Sequence, residues 1–136
     1  MIDLPGIPRS LQTMSNTLAI LAFAALPLSA DVFELRTYTA NEGKMDDLLT
    51  RFRDHTLAIF ESHGMKNIGY WLTEGDDKKL VYIISHKDRD AARASWAAFR
   101  KDPKWQAAFK ASRVNGKLVK KVESQFLTAT DFSKLK

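Results

Sequence analysis

Polar and apolar side chains alternate at the start of the region that has the pattern of a folded domain. Val32 to Thr39 is rich in β-branched and aromatic residues, which favour strands. Its alternating positions place Phe33, Leu35 and Thr37 on one face and Glu34, Arg36 and Tyr38 on the other. The pattern predicts a first strand with one apolar and one more polar face.

The spacing of apolar residues then becomes helical. From Lys44 to His63 they recur on one stripe, formed by Met45, Leu48, Leu49, Phe52, Ile59 and Phe60. Gly64 follows directly and is typical of a helix C-terminus, because glycine readily adopts the left-handed conformation found there. We predict one helix over Lys44 to His63.

Two apolar runs joined by a polar turn come next. Lys66 to Thr73 and Lys79 to Ser85 have the composition of strands, and Glu74-Gly75-Asp76-Asp77 between them is typical of a hairpin. Leu80 to Ile84 is apolar at every position, as expected of an interior strand that is covered on both faces.

A second helical segment and a last strand complete the pattern. Asp88 suits an N-cap, and Asp102-Pro103 should interrupt the helix, because Asp can cap and Pro can occupy the first position of a renewed helix. Leu118 to Thr128 alternates as a last strand before the tail Ala129 to Lys136. The large aromatic residues expected in the core of this part are Trp96, Phe99, Trp105 and Phe109.

The order β-α-β-β-α-β predicts an α+β fold of the ferredoxin-like type. In that fold an antiparallel sheet has its first and third strands in the centre and both helices on one face. The Leu80 to Ile84 run then lies in the centre and is apolar on the helix-free side also. Packing that face against a second copy would bury it, so we expect a homodimer.

The first thirty residues predict export. Thr17 to Leu28 is apolar, too short to span a bilayer, and in the length range of a signal peptide, with Ala30 suited to cleavage before Asp31. We therefore expect a signal peptide over residues 1–30 and one domain over 31–136, periplasmic or secreted, with no membrane span after cleavage. The alternatives are a retained anchor or a buried N-terminal helix, and Met14 could be the true start.

Charge and composition exclude some classes of function. The chain has 21 Lys and Arg against 16 Asp and Glu, but its lysines are mostly interleaved with acids, and only Lys117 to Lys121 concentrates positive charge. A basic stripe bearing aromatics is absent, so we expect no nucleic-acid partner. There is no cysteine, and the spacing of the three histidines matches no zinc motif, so we expect no metal site.

Four short motifs occur in order along residues 31–136. The first is Glu34-Leu35-Arg36-Thr37-Tyr38, followed by Gly43-Lys44 at the helix entry. The others are His63-Gly64-Met65 leading into Ile68-Gly69-Tyr70-Trp71, then Asp102-Pro103-Lys104-Trp105, and finally Thr130-Asp131-Phe132-Ser133. Together they resemble the NIPSNAP family. Two departures are Ala129 in place of a usual proline and Val81-Tyr82-Ile83-Ile84-Ser85 where many members carry a His-Leu-Trp pattern, so no role of that family histidine is carried over.

The resemblance implies a dimeric α+β barrel, which small cofactor-independent monooxygenases, lactone isomerases and haem enzymes also use. The fold therefore does not select a reaction. Eukaryotic NIPSNAP members are associated with mitochondria and with vesicle or autophagy-related interactions, which an exported protein need not share. We expect no cofactor.

Three residues are candidates for acid-base and anchoring chemistry. His55, at the edge of the apolar stripe, could shuttle protons or bind haem. Arg36 could point into the barrel and hold an anionic substrate, and Tyr38 could donate a hydrogen bond. The structural alternatives are a boundary histidine bonded to a neighbour and an Arg36–Glu34 pair that solves a buried-charge problem at the dimer seam.

Other residues are candidates to line a ligand pocket or to support the fold. Glu34, Tyr70, Trp71 and Tyr82 could form pocket walls, with core or interface packing as the alternative. We expect His63 to stabilise the end of the first helix and His86 to be exposed after the third strand.

Three functional hypotheses follow. The first is a homodimeric module that binds a small hydrophobic molecule or another protein, without catalysis. The second is a cofactor-independent monooxygenase or isomerase acting on a small hydrophobic compound, and the third is haem binding through His55. We favour the first, because no convincing catalytic set is present. A connected cavity lined by the polar candidates would favour an enzyme, whereas a space filled by Phe, Leu and Trp would disfavour it.

Overall fold

The computed structural model describes residues 31–136, so the predicted signal peptide lies outside the described residues. The elements are β1 (Val32–Ala40), α1 (Met45–Arg51), a π-helical turn (Phe52–Thr56), α2 (Leu57–Ser62), β2 (Lys66–Leu72), β3 (Lys79–His86), α3 (Arg89–Lys101), α4 (Pro103–Ala111) and β4 (Val119–Leu127). Each strand begins and ends within about one residue of its predicted limits. Among residues 31–136, no helix has the length and apolar character needed to cross a membrane.

The four strands form one antiparallel sheet in the order β2-β3-β1-β4. The first and third strands are central, which confirms the ferredoxin-like prediction. In this register Arg36 lies opposite Tyr82 on β3 and opposite Ser124 on β4. Side chains from three adjacent strands therefore meet near Arg36.

The predicted helix ends are confirmed. Asp88 caps α3 by accepting a 2.7 Å hydrogen bond from the Ala91 N–H, and Asp102 caps α4 by accepting a 2.8 Å bond from the Lys104 N–H. Pro103 is the first residue of α4. Gly64 has φ of +78°, a conformation that disfavours any side chain and ends α2.

We predicted one regular helix over Lys44 to His63, but the structure divides this segment into α1, a π-helical turn and α2. Phe52–Thr56 forms a π-helical turn, in which the Leu57 N–H donates to the Phe52 carbonyl and the Thr56 hydroxyl donates to the Arg51 carbonyl at 3.3 Å. Apolar spacing is insensitive to one wide turn, because the same stripe still faces the sheet. The buried residues of that stripe are Leu48, Phe52, Ile59 and Phe60.

The two faces of the sheet have different surroundings. On the helix side, Leu80, Tyr82 and Ile84 of β3 are each at most 2% exposed. On the other side no helix covers the sheet within the described residues, and Val81 and Ile83 are only half-buried. At one end of this helix-free face Phe33 and Ser85 are buried, and the C-terminal segment from Thr128 to Leu135 lines a cavity with Phe33 and Ile83. The apolar character of β3 on both faces, predicted from its sequence, is thus matched by full cover on the helix side and by partial cover on the other.

Candidate functional site

A buried carboxylate on the helix side of the sheet joins four polar side chains. Glu34 is 2% exposed. Its Oε1 accepts hydrogen bonds of 2.7 Å from Arg36 Nη1 and from Ser124 Oγ. Its Oε2 lies 2.8 Å from His86 Nε2 and accepts a 2.8 Å bond from Trp96 Nε1. Residues from all three of β1, β3 and β4, and from α3, therefore meet at one anion, which we call the Glu34 cluster.

The ionised state of Glu34 is fixed by these partners. Burial alone would raise the pKa of this carboxyl group, but hydrogen bonds from His86, Trp96 and Ser124, together with that from Arg36, lower it to about 2. A carboxylate this acidic stays ionised near neutral pH. Glu34 therefore orients its neighbours and cannot serve there as a general acid.

The guanidinium of Arg36 is held between β3 and α3. Its Nε donates to the Tyr82 hydroxyl at 2.9 Å, and its Nη2 donates to the Tyr38 hydroxyl at 3.4 Å. Its central carbon lies 4.3 Å from the centre of a Trp96 ring. Burial alone would lower the pKa of Arg36, but nearby Tyr82 and Tyr38 and the bond to Glu34 raise it.

Arg36 keeps part of its surface open. Its side chain is 15% exposed, and a guanidinium has five N–H donors, of which three are used in the bonds described here. Tyr38, Trp96 and Phe126 around it are half-buried, whereas Val122 on the same side of the sheet is 43% exposed. The site thus lies at the margin between the helix-covered part of the sheet and the open surface of β4.

The predicted cluster of Glu34, Arg36 and Tyr38 on one strand face is confirmed, but that face is directed towards the helices. It does not face the helix-free side, where a second copy would pack. The Arg36–Glu34 pair that we considered as a structural alternative is present at 2.7 Å.

The layer between sheet and helices is filled mainly by aromatic rings. Tyr70 stacks on Tyr82 with ring centres 4.9 Å apart, and Phe52 packs edge-on against Tyr82 at 5.2 Å. Phe99 lies 5.0 Å from Phe60. Burial raises the pKa of both tyrosines, so both hydroxyls stay protonated near neutral pH.

Two aromatic residues are not where we expected them. Trp71 lies on the opposite face from Tyr70 and Tyr82 and is 54% exposed, so it cannot line a pocket with them. Its ring covers Gly69, where an added Cβ would come within 2.3 Å of the indole. Phe109, predicted as core, is 37% exposed, because the helix α4 that carries it packs mainly against α3 and the π-helical turn rather than against the sheet.

His86 is buried, contrary to our expectation of exposure. It is the last residue of β3, 2% exposed, and bonded to Glu34. The strand continues one residue beyond its predicted end at Ser85, which places the imidazole beside Glu34 on the helix side of the sheet. Among the described residues, its Nδ1 is buried without a hydrogen-bond partner.

The other two histidines lie outside the Glu34 cluster. His63 follows α2, as predicted for a helix end, and its Nε2 lies 2.7 Å from Asp102 Oδ2, which lowers the pKa of that carboxyl group. His55 is an exposed residue of the π-helical turn and lines two surface cavities next to α4. No hydrogen bond among the described residues joins His55 to Arg36 or Tyr38, so the predicted acid-base set is not assembled. Residues 31–136 contain no group of three His, Asp or Glu side chains placed to hold a metal ion.

Sequence reasoning missed three members of the cluster. Trp96 had been placed in the core by its helical spacing, His86 at an exposed strand end, and Ser124 in an unremarked position of the last strand. The register of the sheet could have pointed to Ser124, since it places this residue opposite Arg36.

Comparison with known proteins places this fold among solved structures. A NIPSNAP family protein of unknown function from Agrobacterium tumefaciens is 24% identical, with a TM-score of 0.69 over 79% of this chain and 96% of that chain. A second NIPSNAP family protein from the same organism is 26% identical, with a TM-score of 0.69 over 79% and 92%. SnoaB, a cofactor-independent oxygenase from Streptomyces nogalater, is 21% identical with a TM-score of 0.53 over 77% and 98%, which shows a shared fold alone.

The family assignment rests on the sequence as well. No curated protein matches the sequence significantly. The NIPSNAP family model, however, matches residues 33–134, which include every strand and helix of the sheet and helix layers except the first residue of β1. The chain belongs to the NIPSNAP family.

Proposed function

We propose that this protein is an exported homodimer that binds a small hydrophobic molecule carrying an oxygen acceptor, without catalysing its conversion. The supporting observation is the state of Arg36. Its guanidinium is fixed by Glu34 and Tyr82, yet its side chain remains 15% exposed, with donors to spare. A fixed and partly open cation is suited to orient a ligand.

The surroundings of Arg36 define what could bind there. Trp96 and Tyr38 offer half-buried aromatic surface on either side, and Val122 adds an exposed apolar side chain on β4. The positive charge is already balanced by Glu34. A neutral ligand with a carbonyl or hydroxyl oxygen therefore matches the site better than one with a full charge.

Binding is favoured over catalysis by the protonation states at the site. Glu34 is ionised and has four partners, and Tyr70 and Tyr82 stay protonated near neutral pH. Phe and Trp side chains fill much of the layer in which a closed reaction chamber would have to lie. The candidate base His55 lies on the outer side of its helix.

The binding proposal is testable with 2-acetylnaphthalene, a neutral aromatic ketone. Tryptophan fluorescence should be quenched on titration, and Tyr38→Phe should weaken binding several-fold by removing a hydroxyl beside Arg36. Tyr70→Phe is the matched control, because its hydroxyl bonds Asn67 away from the cluster. Equal affinity in both variants, or no quenching of the unmodified protein, would contradict the proposal.

The oxygenase or isomerase alternative has one specific observation in its favour. Glu34 holds one nitrogen of His86, and the other is buried without a partner among the described residues, an arrangement that suits a general base. A base must have that nitrogen free near neutral pH. Ring nitrogen shifts measured by NMR between pH 6 and 8 decide this: a doubly protonated His86 throughout that range would exclude the alternative.

The haem hypothesis stays a prediction that depends on His55. Hemin added to the protein should give a Soret shift that His55→Ala abolishes. A shift that persists in the variant would assign haem binding elsewhere.

A further inference from the structure

A groove separate from the Glu34 cluster runs between the first helical segment and α4. It consists of two adjoining cavities of about 290 Å³ and 480 Å³, which share His55, Ala108 and Ala111 as lining residues. We call this the helix groove. Alanines form much of its α4 wall, and the π-helical turn lies in the middle of the opposite wall.

The smaller cavity has a buried cation in its lining. Arg51 is 4% exposed, and its Nη1 donates to Ser112 Oγ at 3.1 Å. Its Nε is buried and has no hydrogen-bond partner among the described residues. No carboxylate of residues 31–136 lies within ion-pairing distance of it.

The surroundings of Arg51 support a cation without neutralising it. Its guanidinium carbon lies 5.2 Å from the Trp105 ring and 5.3 Å from the Phe109 ring, which provides cation–π contacts. The guanidinium carbon of Arg113 lies 4.7 Å from the centre of the same Phe109 ring, so a second positive charge is near. Burial and Arg113 both lower the pKa of Arg51. Arg51 is thus a buried cation without a paired anion, and a bound anion would supply that pair.

The π-helical turn fixes where this arginine lies. The Thr56 hydroxyl bonds the Arg51 carbonyl, so the wide turn begins directly after Arg51. Turns of this kind are frequent at functional sites. The turn also brings His55 to the boundary shared by the two cavities.

We propose that the helix groove binds an amphipathic monocarboxylate, such as a medium-chain fatty acid. The carboxylate accepts hydrogen bonds from Arg51 Nε and its remaining Nη hydrogens, and the apolar chain follows the larger cavity along Ala58, Ile59 and Ala107. Charge complementarity selects the headgroup, and the mainly apolar lining selects the tail. This site does not depend on the proposed function at Arg36.

Two carboxylates of the groove oppose an anion: Asp54 lines the larger cavity and Asp47 the smaller one. Asp47 is exposed, lies one helical turn before Arg51 and lines the smaller cavity without forming an ion pair with it. Its charge weakens carboxylate binding through repulsion. Asp47→Asn is therefore expected to tighten binding, an effect opposite in sign to the loss of Arg51.

The test is calorimetric titration of the full chain with octanoate, and with octan-1-ol as the uncharged analogue. Octanoate should bind and octan-1-ol should bind at least about tenfold more weakly, as expected for loss of a charge-assisted contact. Arg51→Met should reduce octanoate affinity about tenfold or more. Arg53→Met is the matched control, because Arg53 is an exposed cation on the same helical segment and lines neither cavity.

Folding of the variants is controlled by circular dichroism, and two further readouts keep the test decisive if Arg51→Met unfolds. Asp47→Asn should raise octanoate affinity two- to threefold, and the Arg51 Nε–H resonance should shift on adding octanoate to the unmodified protein. Equal binding of acid and alcohol, or an unmoved Arg51 resonance, would overturn the proposal. Neither result would bear on the proposed function at Arg36, which is tested separately with a neutral ketone and Tyr38→Phe.

Discussion

The two faces of the central strands differ in how completely a single chain buries their side chains. On the helix side, Tyr82 and Ile84 are fully buried and Glu34 has four hydrogen-bond partners. On the helix-free side, Val81 and Ile83 are equally apolar but half-buried. Alternate residues of one strand point to opposite faces, so a single short sequence specifies both a fully buried core and a face that one chain covers only in part, where Phe33 and Ser85 are buried but Val81 and Ile83 are not. The helix-covered face supplies the core on which folding depends, and the helix-free face is the surface on which we expect a second copy to pack.

The largest loss of stability should come from placing a charge on the helix-covered face. Ile84→Asp would bury an unpaired carboxylate among residues that exclude water, so we expect loss of the native fold. Circular dichroism and solubility measure this. A variant with native-like spectra and an unchanged melting temperature would show that this face is less closed than described.

The next effect should come from removing the buried anion. Glu34→Gln leaves Arg36 and its other partners without a carboxylate, and we expect a loss of about 3 kcal/mol in the free energy of unfolding. Urea denaturation gives this quantity. Glu123→Gln on β4, which breaks only an exposed pair with Lys121, is the control and should unfold at the same urea concentration as the unmodified protein.

Acid should lower the free energy of unfolding through the Glu34 carboxylate on the same face. The pKa of Glu34 is lowered to about 2 in the folded protein, below its ordinary 4.5, so this group stabilises the fold fully above pH of about 5. That contribution, about 3 kcal/mol, is lost as pH falls from about 5 towards 2. Unfolding free energies across this range should decline less steeply for Glu34→Gln. Parallel curves for the two proteins would contradict the pKa assignment.

A small effect is expected at the margin of the cluster. Tyr38→Phe removes a hydroxyl that accepts only a long, 3.4 Å bond from Arg36, so unfolding should become easier by about 0.5 kcal/mol. A loss of unfolding free energy several times larger would mean that the Tyr38 hydroxyl supports the Glu34 cluster structurally and is not available to a ligand.

The sequence predicted the strands and the caps because these depend on local patterns, and the sheet order because the crossover rules for a β-α-β-β-α-β chain leave few arrangements. Asp88, Asp102 and Gly64 each have a preference that acts within one turn of helix. The π-helical turn escaped prediction, since it depends on one hydroxyl bond from Thr56 and leaves the apolar stripe unchanged.

The candidate site was only half predictable for a related reason. Glu34, Arg36 and Tyr38 share a strand face, which a period of two reveals directly. His86, Trp96 and Ser124 reach Glu34 from three other elements, so their approach depends on strand register and helix placement. Arg51 gave no signal, because a buried arginine without a carboxylate cannot be told from a surface one by its neighbours in the sequence.

The comparison of the two faces is tested most directly by the oligomeric mass of the protein, measured by sedimentation equilibrium on the unmodified chain and on Ile83→Asp. For a chain of residues 31–136, we predict twice the mass of one chain for the unmodified protein and the mass of one chain for the variant, with the helical circular dichroism retained in both. A single-chain mass for the unmodified protein at micromolar concentrations, or a variant that remains dimeric, would contradict the claim that the helix-free face is covered by a second copy.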